Sequence, residues 1–282
     1  MDDQVVEKVK NAVIDASSNP EKSRVNIFND LLQNEKNENA KSVLKLMIDN
    51  FMVAREKKSP LCDDTGITHV ILEIGDNRSI DAELMDSIQK GISEGLKTLP
   101  GRPMAVLGND SERISQIVGL SDKPEDVTST PFLMTKSSDG KTKLHILMHG
   151  GGPEIRAKTY RVFHKHDTNE VIDEIVKWSI DGVKDLGCTP CTLAIGIGRS
   201  HFEASALMLL AEIEGDYSSQ SEMERIITER VNESGIGPLG LGGENTVIAT
   251  FIKIGPQRAS GVRIVSLRPC CCMEPRLASV YL

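Results

Sequence analysis

Residues 187–203 read Gly187-Cys188-Thr189-Pro190-Cys191-Thr192-Leu193-Ala194-Ile195-Gly196-Ile197-Gly198-Arg199-Ser200-His201-Phe202-Glu203. Residues 193–197 are a short apolar run bounded by turn residues, the pattern of a buried strand. Ser200 and Glu203 stand at capping-box spacing, and Ala204, Leu207 and Leu210 continue one helical face, so a helix opens at once. The same texture extends outward. Strands are expected over 67–74, 142–148 and 246–254. Helices are expected over 80–98, with Leu84, Ile88, Ile92 and Leu96 on one face, and over 219–232. Asp167 and Glu170 form another capping-box pair, ahead of Val171, Ile175, Trp178 and Ile180. Residues 1–58 differ, carrying only helical stripes: Val5, Val9, Val13 and Ala16, then Val25, Phe28, Leu31 and Leu32, then Val43, Leu44, Met47, Ile48 and Phe51. Pro20 ends the first stripe, and Ser59-Pro60 ends the helical region. The expected fold is α+β (mixed α/β): a helical layer over 1–58, then a mixed sheet with helices and glycine-rich loops over 59–282, as one domain. Residues 99–129 are rich in Gly, Asp, Ser and Pro and read as a long functional loop or insertion.

Composition narrows the function. A 282-residue chain with 39% hydrophobic and 26% charged residues is neither disordered nor fibrous. The net charge of −8, with 33 Lys+Arg against 41 Asp+Glu, and only 4% aromatic residues argue against nucleic acid as a partner. A small anion stays open, because a few arginines reverse the field inside a cleft. No apolar run approaches the roughly 18 residues that a membrane span needs. The N-terminal MDDQVVEKVKNAV lacks the apolar core of a signal peptide, so a cytoplasmic location is expected.

The 6 cysteines are Cys62, Cys188, Cys191 and the run Cys270, Cys271, Cys272. Three adjacent cysteines make a poor disulfide framework, and clustered thiols read first as metal or redox groups. Cys62 lies in Pro60-Leu61-Cys62-Asp63-Asp64-Thr65-Gly66, either a simple turn or a thiolate with a carboxylate two residues on. His149-Gly150-Gly151-Gly152-Pro153-Glu154 follows a strand, and its glycines let the backbone approach an anion. Cys188 and Cys191 have C-x-x-C spacing, but a zinc site would want a second such pair. A zinc protein using Cys188, Cys191 and the final run is one reading, which metal analysis separates from iron with sulfide. Residues 235–246 interleave five glycines with Ile, Pro and Leu, so that loop is expected to be ordered around something. Residues 265–276 set the cysteine run between Arg268 and Arg276, and cations favour thiolates. Three separated Cys loops that converge would supply three ligands to a cubane and leave one iron open as a Lewis acid.

In chain order, these pieces resemble the α subunit of the class I, iron–sulfur fumarate hydratase and L-tartrate dehydratase family. CDDTG resembles that family's C-(Q/D)-D-T-G, and HGGGPE its K-G-G-G-S-E. CTPCTLAIGIG resembles K-P-C-P-P-x-I-V-G-V-G-I-G-G, GIGPLGLGG-ENT resembles G-x-G-P-x-G-L-G-G-x-T, and the end resembles V-N-x-x-C-x-x-x-R-R. The resemblance runs from about residue 5 to the end. It implies a [4Fe–4S] cluster on Cys62, Cys191 and Cys271, with Cys272 as the alternative register and Cys188 and Cys270 as bystanders. It implies Asp64 as the acid that protonates a departing hydroxyl. Arg102, and the backbone N–H groups of Gly150, Gly151 and Gly152, would hold a substrate carboxylate. The implied reaction is reversible dehydration of a small hydroxy-dicarboxylic acid of the fumarate/malate or tartrate type. A separate β subunit would supply the base that takes the α-proton, and α–α self-association is expected.

Departures from the family pattern bear on the substrate. The lysine before the glycine triplet is His149 here and the serine after it is Pro153. The family's G-G-T is Gly198-Arg199-Ser200, its asparagine before the last ligand is Arg268, and a histidine upstream has no counterpart in residues 257–260. Arg199, Arg258 and Arg268 offer charge for a more anionic or differently shaped acid. The same departures motivate a second class, a cluster-binding or sensing protein without dehydratase chemistry.

Overall fold

The structure, a computed structural model, describes residues 2–282. The chain begins with helices α1 (Asp3–Ser18), α2 (Lys22–Asn34) and α3 (Glu38–Lys57). Strand β1 (Ile67–Ile74), helices α4 (Ala82–Thr98) and α5 (Asp110–Ser115), and strands β2 (Leu133–Lys136) and β3 (Lys143–His149) follow. Then come α6 (Gly151–Arg156), β4 (Lys158–Phe163), α7 (Thr168–Leu186), β5 (Cys191–Gly198), α8 (His201–Glu214) and α9 (Glu222–Asn232). Strands β6 (Val247–Ile254), β7 (Val262–Cys270) and β8 (Leu277–Tyr281) complete the chain. The mixed α/β expectation holds, with two mixed sheets. Among the described residues no helix is long and apolar enough to cross a membrane.

Two compact units are present. The first comprises residues 2–20, 51–151 and 276–282. Its sheet runs β2-β1-β3-β8, with β1 parallel to β2 and antiparallel to β3. Val5, Val9 and Val13 of α1 and Leu84, Ile88 and Ile92 of α4 form one buried cluster with Val70, Leu72, Leu144 and Ile146 of the sheet. A Cβ on Gly91 would lie 2.6 Å from the Val9 Cβ, so glycine there is what lets the two helices close up. Asp2 caps α1 by accepting from the Gln4 and Val5 amides, and Asp81 caps α4 by accepting from Leu84 N at 2.8 Å. The stretch 99–129 is mostly irregular, as its composition implies, but holds α5, which is opened by an Asn109–Glu112 capping box.

The second unit comprises residues 21–50 and 152–275. Its sheet runs β4-β7-β5-β6, with β5 parallel to β6 and antiparallel to β7. Every residue of β5 is buried. Val171, Ile175 and Val183 of α7 and Ile227 and Val231 of α9 pack with Leu193, Ile195 and Leu267 of the sheet. The N-terminal helices read as one layer are divided: α1 belongs to the first unit, and α2 and residues 38–50 of α3 to the second. Asp167 and Ser200 cap their helices as expected. Their acidic partners turn elsewhere: Glu170 pairs with Lys165 at 2.9 Å, and Glu203 takes the Arg199 guanidinium at 2.6 Å.

Candidate functional site

In the first unit the Cys62 loop is fixed by its backbone. Leu61 N donates to Ser17 O at 2.9 Å, leaving Cys62 half-buried beside Asp63. Asp64 is held at both oxygens. Oδ1 accepts from Gly66 N at 3.1 Å and Oδ2 from Gly151 N at 2.6 Å. Gly66 has φ +87°, and a Cβ there would lie 2.5 Å from Arg276 Nη2, so the turn requires glycine. Arg276, only 2% exposed, donates from Nη1 to Asp64 O at 2.8 Å and Thr65 O at 3.2 Å, and from Nε to Met148 O at 2.9 Å. The guanidinium thereby ties the acidic loop to the end of β3. Gly150 is buried directly after β3, and Gly151 starts α6 with its N–H committed to Asp64. Arg102 is exposed. Its Nη1 pairs with Asp63 Oδ2 at 3.2 Å, and its carbonyl accepts from Thr65 Oγ1 at 3.1 Å. Arg102, Asp64, Gly150 and Gly151 are therefore gathered around one loop, through bonds that run mostly within the protein. The rings of His69 and His149 meet at a tilt of 34°, with centroids 4.3 Å apart.

In the second unit the β5–β7 pairing sets the thiols. Thr192 lies opposite Cys270 in an antiparallel register, so Cys191 and Cys271 continue that register one step on. Both are buried in the same apolar cluster. Burial pushes the Cys191 thiol well up, and the neighbouring Cys271 adds to the shift. Cys272 N donates to Cys188 O at 2.9 Å. The Cys272 thiol is hydrogen-bonded with those of Cys188 and Cys271, which together with burial drives it well above the ordinary thiol range. Cys270 faces away from this group, packed with Ala194 and Met208 and 3.2 Å from Arg268 Nη1.

Two arginines organise this unit. Arg24 of α2 is buried, and its Nη2 donates to the carbonyls of Cys272 and, at 3.2 Å, Cys271, while Nη1 reaches Pro275 O at 3.4 Å. Only its place on an otherwise amphipathic helix marks it, which carries no signal of this role. Arg268 does not face substrate as expected. It is fully buried against Glu154 at 2.8 Å, Glu274 at 2.7 Å and Glu212 at 3.6 Å, which neutralise it within the protein. Arg199 is likewise taken by Glu203. Arg258 lies in the exposed turn between β6 and β7. The glycine-rich loop is ordered around the chain's own groups. Thr189 Oγ1 donates to Gly237 O at 2.6 Å, Gly237 N to Thr246 Oγ1 at 3.0 Å, and Asn245 Nδ2 to Glu35 Oε2 at 2.9 Å. Burial opposes the charge on Glu35, but its amide donors outweigh that and hold its carboxyl below the usual range.

The family model for fumarate hydratase (fumerase) matches residues 6–280. The chain belongs to this family. Among relatives, a protein of Methanocaldococcus jannaschii, provisionally named L(+)-tartrate dehydratase subunit alpha, is 30% identical over 240 residues, covering 81% of each chain. The Escherichia coli K12 protein named L(+)-tartrate dehydratase subunit alpha is 23% identical over 238 residues, covering 82% of this chain and 75% of that one. Membership in the fumarate hydratase family covers both units, so the Cys62 loop, the glycine triplet and the Cys191–Cys271 neighbourhood all lie inside the matched span.

Proposed function

We propose that this chain is the α-type subunit of a hydro-lyase that reversibly dehydrates a small hydroxy-dicarboxylic acid of the fumarate/malate or tartrate type. In this reading Cys62, Cys191 and Cys271 are the residues that would hold a [4Fe–4S] cluster. The observation that carries it is that Cys191 and Cys271 are both buried free thiols in one apolar cluster, just past the last β5–β7 pair, Thr192–Cys270. Two adjacent soft donors in an apolar cluster suit iron–sulfur ligation, since thiolates are the ligands that such clusters take. When bound, a cluster with one iron free of thiolate supplies a Lewis acid for a substrate carboxylate and hydroxyl.

The chain's own residues then have defined tasks. Asp64 moves the proton at the hydroxyl oxygen, protonating it as it leaves or taking a proton from incoming water. Its two backbone donors fix the carboxylate's direction. Arg102 pairs with the carboxylate remote from the hydroxyl, exchanging its exposed link to Asp63 for the substrate. Gly150, Gly151 and Gly152 form a wall without side chains, along which a carboxylate approaches the backbone. The base for the α-proton comes from a separate β subunit, in a cytoplasmic heteromer that also self-associates through α chains.

The test is anaerobic reconstitution with iron and sulfide, followed by a dehydratase screen on malate and tartrate with the β-type chain added. About four irons per chain and turnover that needs the β chain are expected. Full iron loading of Cys62→Ser or Cys191→Ser would overturn the ligand set, and zinc without sulfide would overturn the cluster.

A further inference from the structure

The mechanism uses Cys191 and Cys271 but leaves their neighbours Cys188 and Cys272 unemployed. These two meet in the second unit from segments more than eighty residues apart in sequence. The Cys272 amide donates to the Cys188 carbonyl at 2.9 Å. Bond lengths alone keep two residues joined by one N–H···O=C bond within roughly 7 Å at their Cα atoms, close to the roughly 4.4–6.8 Å span that a disulfide uses. The Cys188 side chain is also among the nearby groups that act on the Cys272 thiol. Access is asymmetric: Cys188 is exposed, whereas Cys272 is only 6% exposed.

We propose that Cys188 and Cys272 form a peroxide-responsive thiol pair, with Cys188 the attacking and Cys272 the resolving cysteine. The Cys188 sulfur attacks hydrogen peroxide, the O–O bond breaks, and Cys188 becomes a sulfenic acid as water leaves. The Cys272 sulfur then attacks the Cys188 sulfur. The S–S bond forms, the S–O bond breaks, and the departing hydroxide takes the Cys272 proton and leaves as water. Overall, two thiols are oxidised and one peroxide is reduced to two waters. Cys271 also lies within reach of Cys272, but adjacent residues close a strained ring, so Cys188 is the favoured partner. Cys188 is the exposed member of this thiol group, whereas Cys191 is fully buried, so an oxidant from solvent meets Cys188 before Cys191. This assignment does not rest on the cluster reading, because its chemistry needs no iron.

The test treats the full chain, exchanged anaerobically out of reductant, with one equivalent of hydrogen peroxide, then alkylates it and maps it with trypsin. Cleavage at Lys184 and Arg199 releases residues 185–199, and cleavage at Arg263 and Arg276 releases residues 264–276. A cross-link between these peptides is expected in the native chain and in Cys191→Ser, reversible by dithiothreitol. It should vanish in Cys188→Ser, a substitution at an exposed position that leaves folding intact. In Cys272→Ser, the oxidation should stop at a dimedone-reactive sulfenic acid on Cys188. A cross-link that persists in Cys188→Ser, or Cys188 passing to sulfinic acid while Cys272 stays reduced in the native chain, overturns the proposal. Treatment in denaturant controls for chance pairing: the same single link there would also overturn a pairing set by the fold.

Discussion

Asp64 Oδ2 accepts a hydrogen bond from the Gly151 amide at 2.6 Å, joining the acidic loop to the start of the glycine helix. Both carboxylate oxygens therefore serve as acceptors, since Oδ1 takes the Gly66 amide. Asparagine offers one oxygen and one NH2, so it can satisfy only one of these amides. Asp64→Asn is expected to lower turnover about 10²–10⁴-fold, the usual weight of an acid–base group. The lost acceptor should cost only about 1 kcal/mol of stability. Measuring rate, iron and thermal midpoint on one preparation separates these effects. Near-normal turnover at full iron loading ends the catalytic role.

Arg24 has a structural task that can be tested without any activity. Its removal strands the carbonyls of Cys271, Cys272 and Pro275 in a buried site. Arg24→Met keeps much of the side-chain volume and is expected to cost roughly 2–4 kcal/mol, as unpaired buried acceptors do. Urea denaturation reads this directly, and an unchanged midpoint would show that the carbonyls find other donors. Iron uptake should fall in the same variant, because the thiol run loses its anchor.

The register of the final cysteines gives a sharper result. Cys271 and Cys191 lie just past the last β5–β7 pair, in one buried cluster, whereas Cys270 packs with Met208 and Arg268. Cys271→Ser should lose the iron, while Cys270→Ser and Cys188→Ser keep it. Iron and sulfide assays decide this, and loss in Cys272→Ser alone would shift the register by one residue.

Glu35 links acidity to stability. Its carboxyl is held below the ordinary value of 4.5 by backbone and Asn245 donors in the folded chain. A depressed carboxyl contributes stability that is present above the unfolded value and disappears as pH falls through the folded one. Urea midpoints of the native chain should therefore fall as pH drops below about 4.5, and fall less in Glu35→Gln. Parallel pH profiles for the two proteins would remove Glu35 from the account.

Periodicity revealed the elements whose cores are one-sided or wholly apolar. The run at 193–197 gave β5, and the spacing of Leu84, Ile88, Ile92 and Leu96 gave α4. Strand β2 escaped because its residues are alternately half-buried and exposed over only four positions, too few for a period to register. Strand β4 is hidden by a mostly exposed face, and its pairing partner β7 lies about a hundred residues away. The division into two units was illegible because the N-terminal stripes look alike, although α1 and α2 go to different cores. Within the candidate site the thiols, Asp64 and the glycines stand out as residue types. Arg24 does not, because a buried arginine on an amphipathic helix reads as solvent-facing until its carbonyl partners are known. Arg268 shows the reverse error: its charge suggested a ligand, but three carboxylates scattered from 154 to 274 already balance it.

The placing of β8 has a consequence for the order in which this protein is made. Strand β8 pairs with β3, and Arg276 binds the acidic loop, yet both follow all of residues 152–275 in the chain. On the ribosome, all four strands of the second sheet emerge before the first sheet receives its last strand. The N-terminal-first order expected of tandem domains is therefore inverted here. Until residues 276–282 are made, β3 presents an unpaired edge, and the turn bearing Cys62 and Asp64 lacks the guanidinium that fixes it. A nascent chain with the Cys191–Cys271 neighbourhood already built thus has to wait for residues 276–282 before the Asp64 loop is set.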